Sequence, residues 1–297
     1  MNRSDLLKGV GVALLGFLSQ GLFPRQVQTA STTVSKMLYG TLDRAMVFSV
    51  EAPQALRNMA LAAKEAYGDL IQICTGTNDD LAVRRAMDAC STTGQLTDSV
   101  GLVSLSAGRF YFHNPLLTYY VDAHIKGQGG STKIVAASPN MGSLITISEN
   151  NKVSNLVLDG AGNSPDCHIG IVNVPNAECE NLFFQGGARK AHILAESRAP
   201  NRWEIKGCRF ARNAEGAQVK FSAWTPTGTP VGVQFSLIGN YFYLSPGQTA
   251  VVLENLSGAL ISLNHFEAPE DDYPFGPITE VNCRNVVKGL NNFGTLI

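Results

Sequence analysis

A short phrase returns at nearly constant spacing through the second half of this 297-residue chain. It starts as Asn155-Leu156-Val157 and recurs as Asn181-Leu182-Phe183, Gly207-Cys208-Arg209-Phe210, Gly239-Asn240-Tyr241-Phe242, Leu263-Asn264-His265-Phe266 and Leu290-Asn291-Asn292-Phe293. With Leu156, Phe183, Phe210, Phe242, Phe266 and Phe293 as equivalent positions, the intervals are 27, 27, 32, 24 and 27 residues. A repeat of that size is one coil of a solenoid. Its apolar runs are brief and separated by Gly and Asn, which leaves no room for a helix pair and makes the coil a β-coil. The fold class is therefore all-β, a parallel β-helix in which each coil adds about 4.8 Å along the axis. Phe183, Phe210, Phe242, Phe266 and Phe293 form its inner ladder, and the preference of parallel crossovers makes it right-handed. The repeat length gives about seven coils over residues 101–297.

Upstream of the repeats, Gly76-Thr77-Asn78-Asp79-Asp80-Leu81 opens a helix over 80–90, with Asn78 or Asp79 as its cap. Ala82, Val83, Ala86, Met87 and Cys90 form its apolar face. An amphipathic helix at this position covers the open end of the β-helix, where strand edges would otherwise recruit other chains. The helix is followed by Val103–Tyr111 and by Ile125–Ile134, a strand ending in a small-residue-Gly-aromatic turn and a Gly-rich bend before a second strand. In order and spacing, residues 74–297 resemble the pectate-lyase-like right-handed β-helix superfamily. The resemblance implies the fold and leaves the activity open, since this fold hosts enzymes, adhesins and scaffolds.

Residues 1–73 have a different texture and read as a helical attachment region. Met1–Gly9 followed by Val10–Phe17 resembles a twin-arginine export signal with Ser4 in the place of the second arginine. A docking helix is the competing reading, and the apolar part is too short and Gly-interrupted for a stable membrane span. Leu42, Met46, Val47, Leu56, Met59, Ala60, Ala63 and Tyr67 continue a helical pattern across 41–68, broken at Pro53. At the other end, the last Asn-Phe phrase is followed only by Gly294-Thr295-Leu296-Ile297. The expectation is that the last turn folds over itself or that another subunit covers it.

Charged residues make up 16% of the chain, against about 25% in an average soluble protein. The surface is therefore expected to be shared with partners in an oligomer, and a resemblance to phage spikes implies a homotrimer with the β-helices side by side. The net charge of −1 speaks against a general nucleic-acid binder. Six cysteines, Cys74, Cys90, Cys167, Cys179, Cys208 and Cys283, form neither a CxxC pattern nor a dense disulfide framework. Cys167-His168 with Cys179 matches no common zinc spacing, so neither a metal nor a cofactor is expected.

The candidate binding residues are a basic band. Arg189, Lys190, Arg198, Arg202, Lys206, Arg209, Arg212 and Lys220 stand against Glu196, Glu204 and Glu215. On successive coils these side chains either line a groove for an anionic glycan, since Arg offers a fork that matches carboxylates, or form a solvated or subunit surface. Trp224, beside Pro226 and Pro230, is positioned to stack on a sugar ring or to pack between subunits. Asp159, Asp166, Glu196 and Glu204 lie in neighbouring coils and are the candidate acids for glycosidase chemistry, which needs two facing carboxyls, and nothing marks them as a pair. The run Glu267-Ala268-Pro269-Glu270-Asp271-Asp272 reads as a solvated protruding turn rather than a calcium site.

Two functions of different class follow. One is a virion structural protein similar to the β-helical tailspikes and appendages of tailed bacteriophages, folded in the host cytoplasm. Residues 1–70 would anchor it to other tail proteins, and the β-helix would bind a host-surface polysaccharide. The other is a secreted polysaccharide lyase or glycoside hydrolase. The absent carboxylate pair and the unpatterned cysteines favour the first, and enzymatic turnover is left open.

Overall fold

The computed structural model describes residues 47–51, 71–73, 79–87, 101–118, 123–147, 151–172, 176–197, 202–211, 216–225, 228–269 and 277–296. They form a right-handed parallel β-solenoid, in which the strands between the ends of each sheet pair with strands one coil before and after. Each coil presents three faces. The first runs from Gly101–Leu105 and Ala123–Lys126 through Asn151–Ser154, Asn176–Glu180, Arg202–Lys206, Val231–Ile238 and Leu256–Ser262 to Val287–Lys288. The second runs from Gly108–Phe112 to Asn292–Leu296. The third holds seven strands, from Leu116–Leu117 to Ile278–Val281. Seven strands bound six complete turns, one fewer than the repeat length suggests.

Strand alternation sends every second side chain inward. On the first face the inner column is Val103, Ile125, Val153, Cys179, Ile205, Leu237 and Ile261. On the third it is Ile145, Ile169, Ile193, Val219 and Val251. The second face contributes Phe110, Ile134, Leu158, Phe184, Phe210, Phe242, Phe266 and Phe293. The Phe rings from Phe184 to Phe293 stack with centroids 4.7, 4.6, 4.9 and 5.4 Å apart and planes within 13°. That spacing is the coil rise itself, so each ring lies over its neighbour. Burying one such ring contributes about 1.5–3 kcal/mol.

The column differs from the expected alignment at two positions, with Leu158 in place of Leu156 and Phe184 in place of Phe183. Phe184, not Phe183, is the inner residue, and Phe183 is 37% exposed on the outer surface. The reason lies in the corner between the first two faces. Asn155, Asn181, Gly207, Gly239 and Leu263 occupy it with φ of 55°, 51°, 63°, 66° and 58°. Asn and Gly are the residues that tolerate this left-handed turn best. In later coils the asparagine moves one position on. Asn240, Asn264 and Asn291 align with Leu156, Leu182 and Cys208 rather than with Asn155 and Asn181. Aligning all the asparagines therefore slips the register by one, and a one-residue slip exchanges inside for outside.

The relocated asparagines form an internal ladder. The Cys208 N–H donates to Asn240 Oδ1 at 2.9 Å, Asn240 N–H to Asn264 Oδ1 at 3.0 Å, and Asn264 N–H to Asn291 Oδ1 at 3.0 Å. Their amide nitrogens donate to Ile205 and Leu237 carbonyls at 3.0 and 2.8 Å. Each side chain replaces backbone partners lost where the strand turns.

At the N-terminal end a helix over residues 79–87 packs Ala82, Val83, Ala86 and Met87 into the core. Its expected extension to residue 90, with Cys90, lies outside the described residues. Its first two side chains do more than start a helix. Asp79 Oδ2 accepts the Tyr111 N–H at 2.8 Å, and Asp80 accepts the His113 N–H and the Asn114 amide, each at 3.2 Å. Among the described residues Gly108–Phe112 pairs with another strand on one side only, and these carboxylates accept the N–H groups on its other side.

On the first face, Val47–Glu51 pairs with Gly101–Leu105, and Ile71–Ile73 pairs with Val47–Glu51. A strand at 47–51 replaces that part of the helix expected over 41–68. The rest of the attachment region, with the export-signal and docking-helix readings, lies outside the described residues.

Candidate functional site

The four candidate acids do not converge. Asp159 points outward on the second face, where Lys133 Nζ and Gln185 Nε2 meet its Oδ2 at 3.3 and 2.7 Å. Asp166 sits at the corner before the third face, paired with Arg189 at 2.6 Å and Lys190 at 3.0 Å. The Lys190 hydrogen bond holds its carboxyl below the usual range, against a smaller opposing effect of burial and with help from Arg189. Glu196 projects from the third face. Glu204 projects from the first, 3.2 Å from Lys206 and 3.5 Å from Arg202. No two of them form the facing pair that glycoside hydrolysis needs.

The basic band is likewise dispersed, because the 32 residues from Arg189 to Lys220 wind around all three faces. Arg189 is at a corner, where it also donates to Asn140 Oδ1 at 3.0 Å. Arg202 and Lys206 belong to the first face, Arg209 to the second and Lys220 to the third. Lys220 pairs with Glu254 at 2.9 Å. Trp224 is 56% exposed just past the third-face strand Val219–Ala223, away from the second face. Arg198 and Arg212 lie outside the described residues.

On the first face the charges satisfy each other. Lys152 bonds Glu178 at 2.7 Å and also meets Glu180, while Lys206 lies 2.9 Å from Glu178 and 3.7 Å from Glu180. Burial opposes ionisation of Glu178, but hydrogen bonds from Lys152 and Lys206 outweigh it and hold the carboxyl down. Next to this lattice, burial and then the positive charge of Lys152 push His124 down to about 4.

The second face is different in kind. Its outer surface is a grid of two columns. One column is Arg109, Lys133, Val157, Phe183, Arg209, Tyr241, His265 and Asn292, and the other is Tyr111, Val135, Asp159, Gln185, Ala211, Tyr243, Glu267 and Gly294. Among strands whose side chains are described, every outward Phe or Tyr is here: Tyr111, Phe183, Tyr241 and Tyr243. Tyr241 has ring centroids 4.5 Å from both Tyr243 and His265. Its hydroxyl donates to Glu267, whose Oε2 is 3.9 Å from His265 Nε2. Glu267–Pro269 thus belongs to a strand rather than to the protruding acidic turn, and 270–276 lie outside the described residues. Of the described members of the basic band, Arg209 alone has no ion-pair partner among the described residues, and it is exposed between Phe183 and Tyr241.

Sequence reading named Arg209 and missed Phe183, Gln185, Tyr241, Tyr243 and His265 as surface groups. The signal was the alternation in Tyr241-Phe242-Tyr243, which sends the central ring in and its neighbours out.

Two buried histidines lie inside the solenoid on one column of the third face. His168 and His192 are fully buried, with rings stacked at 4.8 Å and Nδ1 atoms 2.7 Å apart. His192 Nε2 is 3.0 Å from the Ala211 carbonyl, so that nitrogen carries the proton and Nδ1 accepts. The His168 Nδ1–H then donates, which leaves His168 Nε2 as a buried acceptor without a partner among the described residues. Both rings are neutral. Burial lowers His168 far below its ordinary value and His192 to about 4.

Among the described residues no group of His, Cys, Asp or Glu could hold a metal ion. Cys167, Cys179 and Cys208 are buried free thiols, and burial pushes Cys167 and Cys208 up to about 12. They are inert as nucleophiles. No described helix is long and apolar enough to cross a membrane. No protein family, curated protein or solved structure matches this chain.

Proposed function

We infer that this chain is a glycan-binding solenoid without turnover, the host-attachment part of a tailed-bacteriophage tailspike or tail appendage. The observation that carries the binding is the concentration of outward aromatic side chains on the second face. Aromatic faces pack on the apolar faces of sugar rings while their polar edges reach hydroxyls. The dispersal of Asp159, Asp166, Glu196 and Glu204 supports binding over hydrolysis. The virion assignment rests on the resemblance of residues 74–297 to phage β-helices. In that assignment residues 1–70 dock to other tail proteins, and three copies stand side by side.

Incubation of the purified chain with capsular polysaccharides tests this. The expected outcome is retention of polysaccharide with no new reducing ends and no unsaturated sugar products. Steady release of either product overturns the reading in favour of a secreted hydrolase or lyase. Sedimentation at micromolar concentration is expected to give a trimer, and a stable monomer refutes that part.

A further inference from the structure

We propose that the second face binds a carboxylate-bearing sugar at Arg209, within an acidic polysaccharide that lies along the solenoid axis and carries its carboxylates at intervals, separated by neutral sugars. This rests on the glycan-binding reading and names the chemical class of ligand for that surface.

The geometry around Arg209 has three parts. In its own column the guanidinium stands between Phe183, one coil before, and Tyr241, one coil after. Each step is about 4.8 Å, so the two rings flank the charge along the axis, and His265 extends the row by one more coil. In the adjacent column the residue after Phe210 is Ala211, whose N–H donates to the Phe184 carbonyl at 2.9 Å, so the side chain on that rung is a methyl group. An exposed planar fork flanked by two rings, without an ion-pair partner among the described residues, suits a planar carboxylate bound through two parallel N–H donors.

The charge pattern on the same face sets the spacing of the ligand's charges. Asp159 and Glu267 lie in the Ala211 column, two coils before and two coils after it, at about 10 Å on either side. Both are engaged, Asp159 by Lys133 and Gln185 and Glu267 by the Tyr241 hydroxyl. An anion arriving at either place meets a like charge whose partners are already committed. Such repulsion rejects wrong ligands more than it weakens right ones. With each sugar spanning about one coil, a polymer charged on every sugar or on every second sugar sets carboxylates against these acids, whereas one with at least two neutral sugars between its carboxylates places one anion at Arg209 and uncharged rings on Phe183 and Tyr241. On the first face Lys152 and Lys206 are instead engaged by Glu178, Glu180 and Glu204.

The test is calorimetric titration of the full chain with three probes at fixed ionic strength: a deacylated gellan octasaccharide, in which three neutral sugars separate successive glucuronates, its carboxyl-reduced form, and an oligogalacturonate of equal length. The gellan octasaccharide is expected to bind tightest. Arg209→Gln is expected to weaken it about tenfold to a hundredfold, the range for hydrogen bonds to a charged group, while leaving the reduced form unchanged. Tyr241→Ala is expected to weaken both forms. Equal affinity for the acidic and reduced forms, or an Arg209→Gln variant that binds like the parent, overturns the carboxylate assignment and leaves glycan binding standing. Tightest binding of oligogalacturonate overturns the spacing argument. If neither form of the octasaccharide binds, the glycan-binding reading falls and this inference with it. Arg209 is exposed, so thermal melting of the variant at the parent temperature confirms that the fold is intact.

Discussion

Among the described residues the two ends of the solenoid cut through the same core, yet one is covered by a helix and the other shows its apolar side chains to solvent. At the N-terminal end the helix over 79–87 buries Val83, Ala86 and Met87, and its two aspartates accept the N–H groups of the edge strand. At the C-terminal end the last coil shows the same classes of side chain to solvent: Val281 at 50%, Val287 at 57%, Leu290 at 82% and Phe293 at 54% exposure. Position along the axis, rather than residue type, therefore decides what a side chain contributes. A solenoid rung gains stability from both neighbours, and a terminal rung has one.

The largest test of that contrast compares two rings of one column. Phe210→Ala removes a fully buried ring stacked on both sides and is expected to cost about 3–5 kcal/mol in denaturant melts. Phe293→Ala removes a ring stacked on one side only and is expected to cost about 1 kcal/mol. Equal losses would show that the open end is covered in solution, as a trimer or another partner would cover it.

Acid should weaken the interior while sparing the open end. His192 is held near 4 in the folded chain against 6.5 unfolded. Its neutral burial contributes fully above 6.5, and the contribution is lost as pH falls towards 4, because the unfolded chain takes up the proton first. That loss amounts to about 3 kcal/mol, and His168 and His124 shift in the same direction. Hydrogen exchange from pH 7 to pH 4, corrected for intrinsic rates, is expected to show falling protection in the coils containing His168 and His192 and little change in residues 287–294. A His192→Gln variant with an unchanged pH profile would remove His192 as the source.

Smaller effects separate the two ends again. Asp80→Ala strands the His113 N–H and the Asn114 amide and is expected to cost about 1–3 kcal/mol. Glu280→Ala in the last coil breaks an exposed pair with Lys288 and is expected to change stability by less than about 1 kcal/mol. Leu263→Gly, at the left-handed corner with φ of 58°, is expected to stabilise by about 1 kcal/mol because a branched side chain is disfavoured there. A loss on that substitution would mean that the exposed Leu263 side chain packs on a partner.

The solenoid and its period were legible because the inward Phe and the turn-forming Asn and Gly must recur once per coil. The register was not. Phe183-Phe184 gives two aromatic residues of which only one can face inward, and the asparagine changes its position in the coil between Asn181 and Asn240. The candidate surface was hidden for a related reason. A cluster in sequence, such as Arg189 to Lys220, is spread around the circumference, whereas a patch on one face comes from residues a whole coil apart. Phe183, Arg209, Tyr241 and His265 carry no common motif and meet only through the pairing.

The nearest-neighbour stacking also sets how the molecule yields to force. Tension applied through the C-terminus loads the last coil first, whose core is held from one side only. Each release frees about 26 residues, a contour length of roughly 9 nm at about 3.4 Å per residue. The force trace should be a staircase of nearly equal steps, lengthened at the wide coil between Phe210 and Phe242, where the alignment spans 32 residues. A chain anchored at its N-terminus and loaded at its tip would in this way shed coils singly while the rungs nearest the helix stay shut.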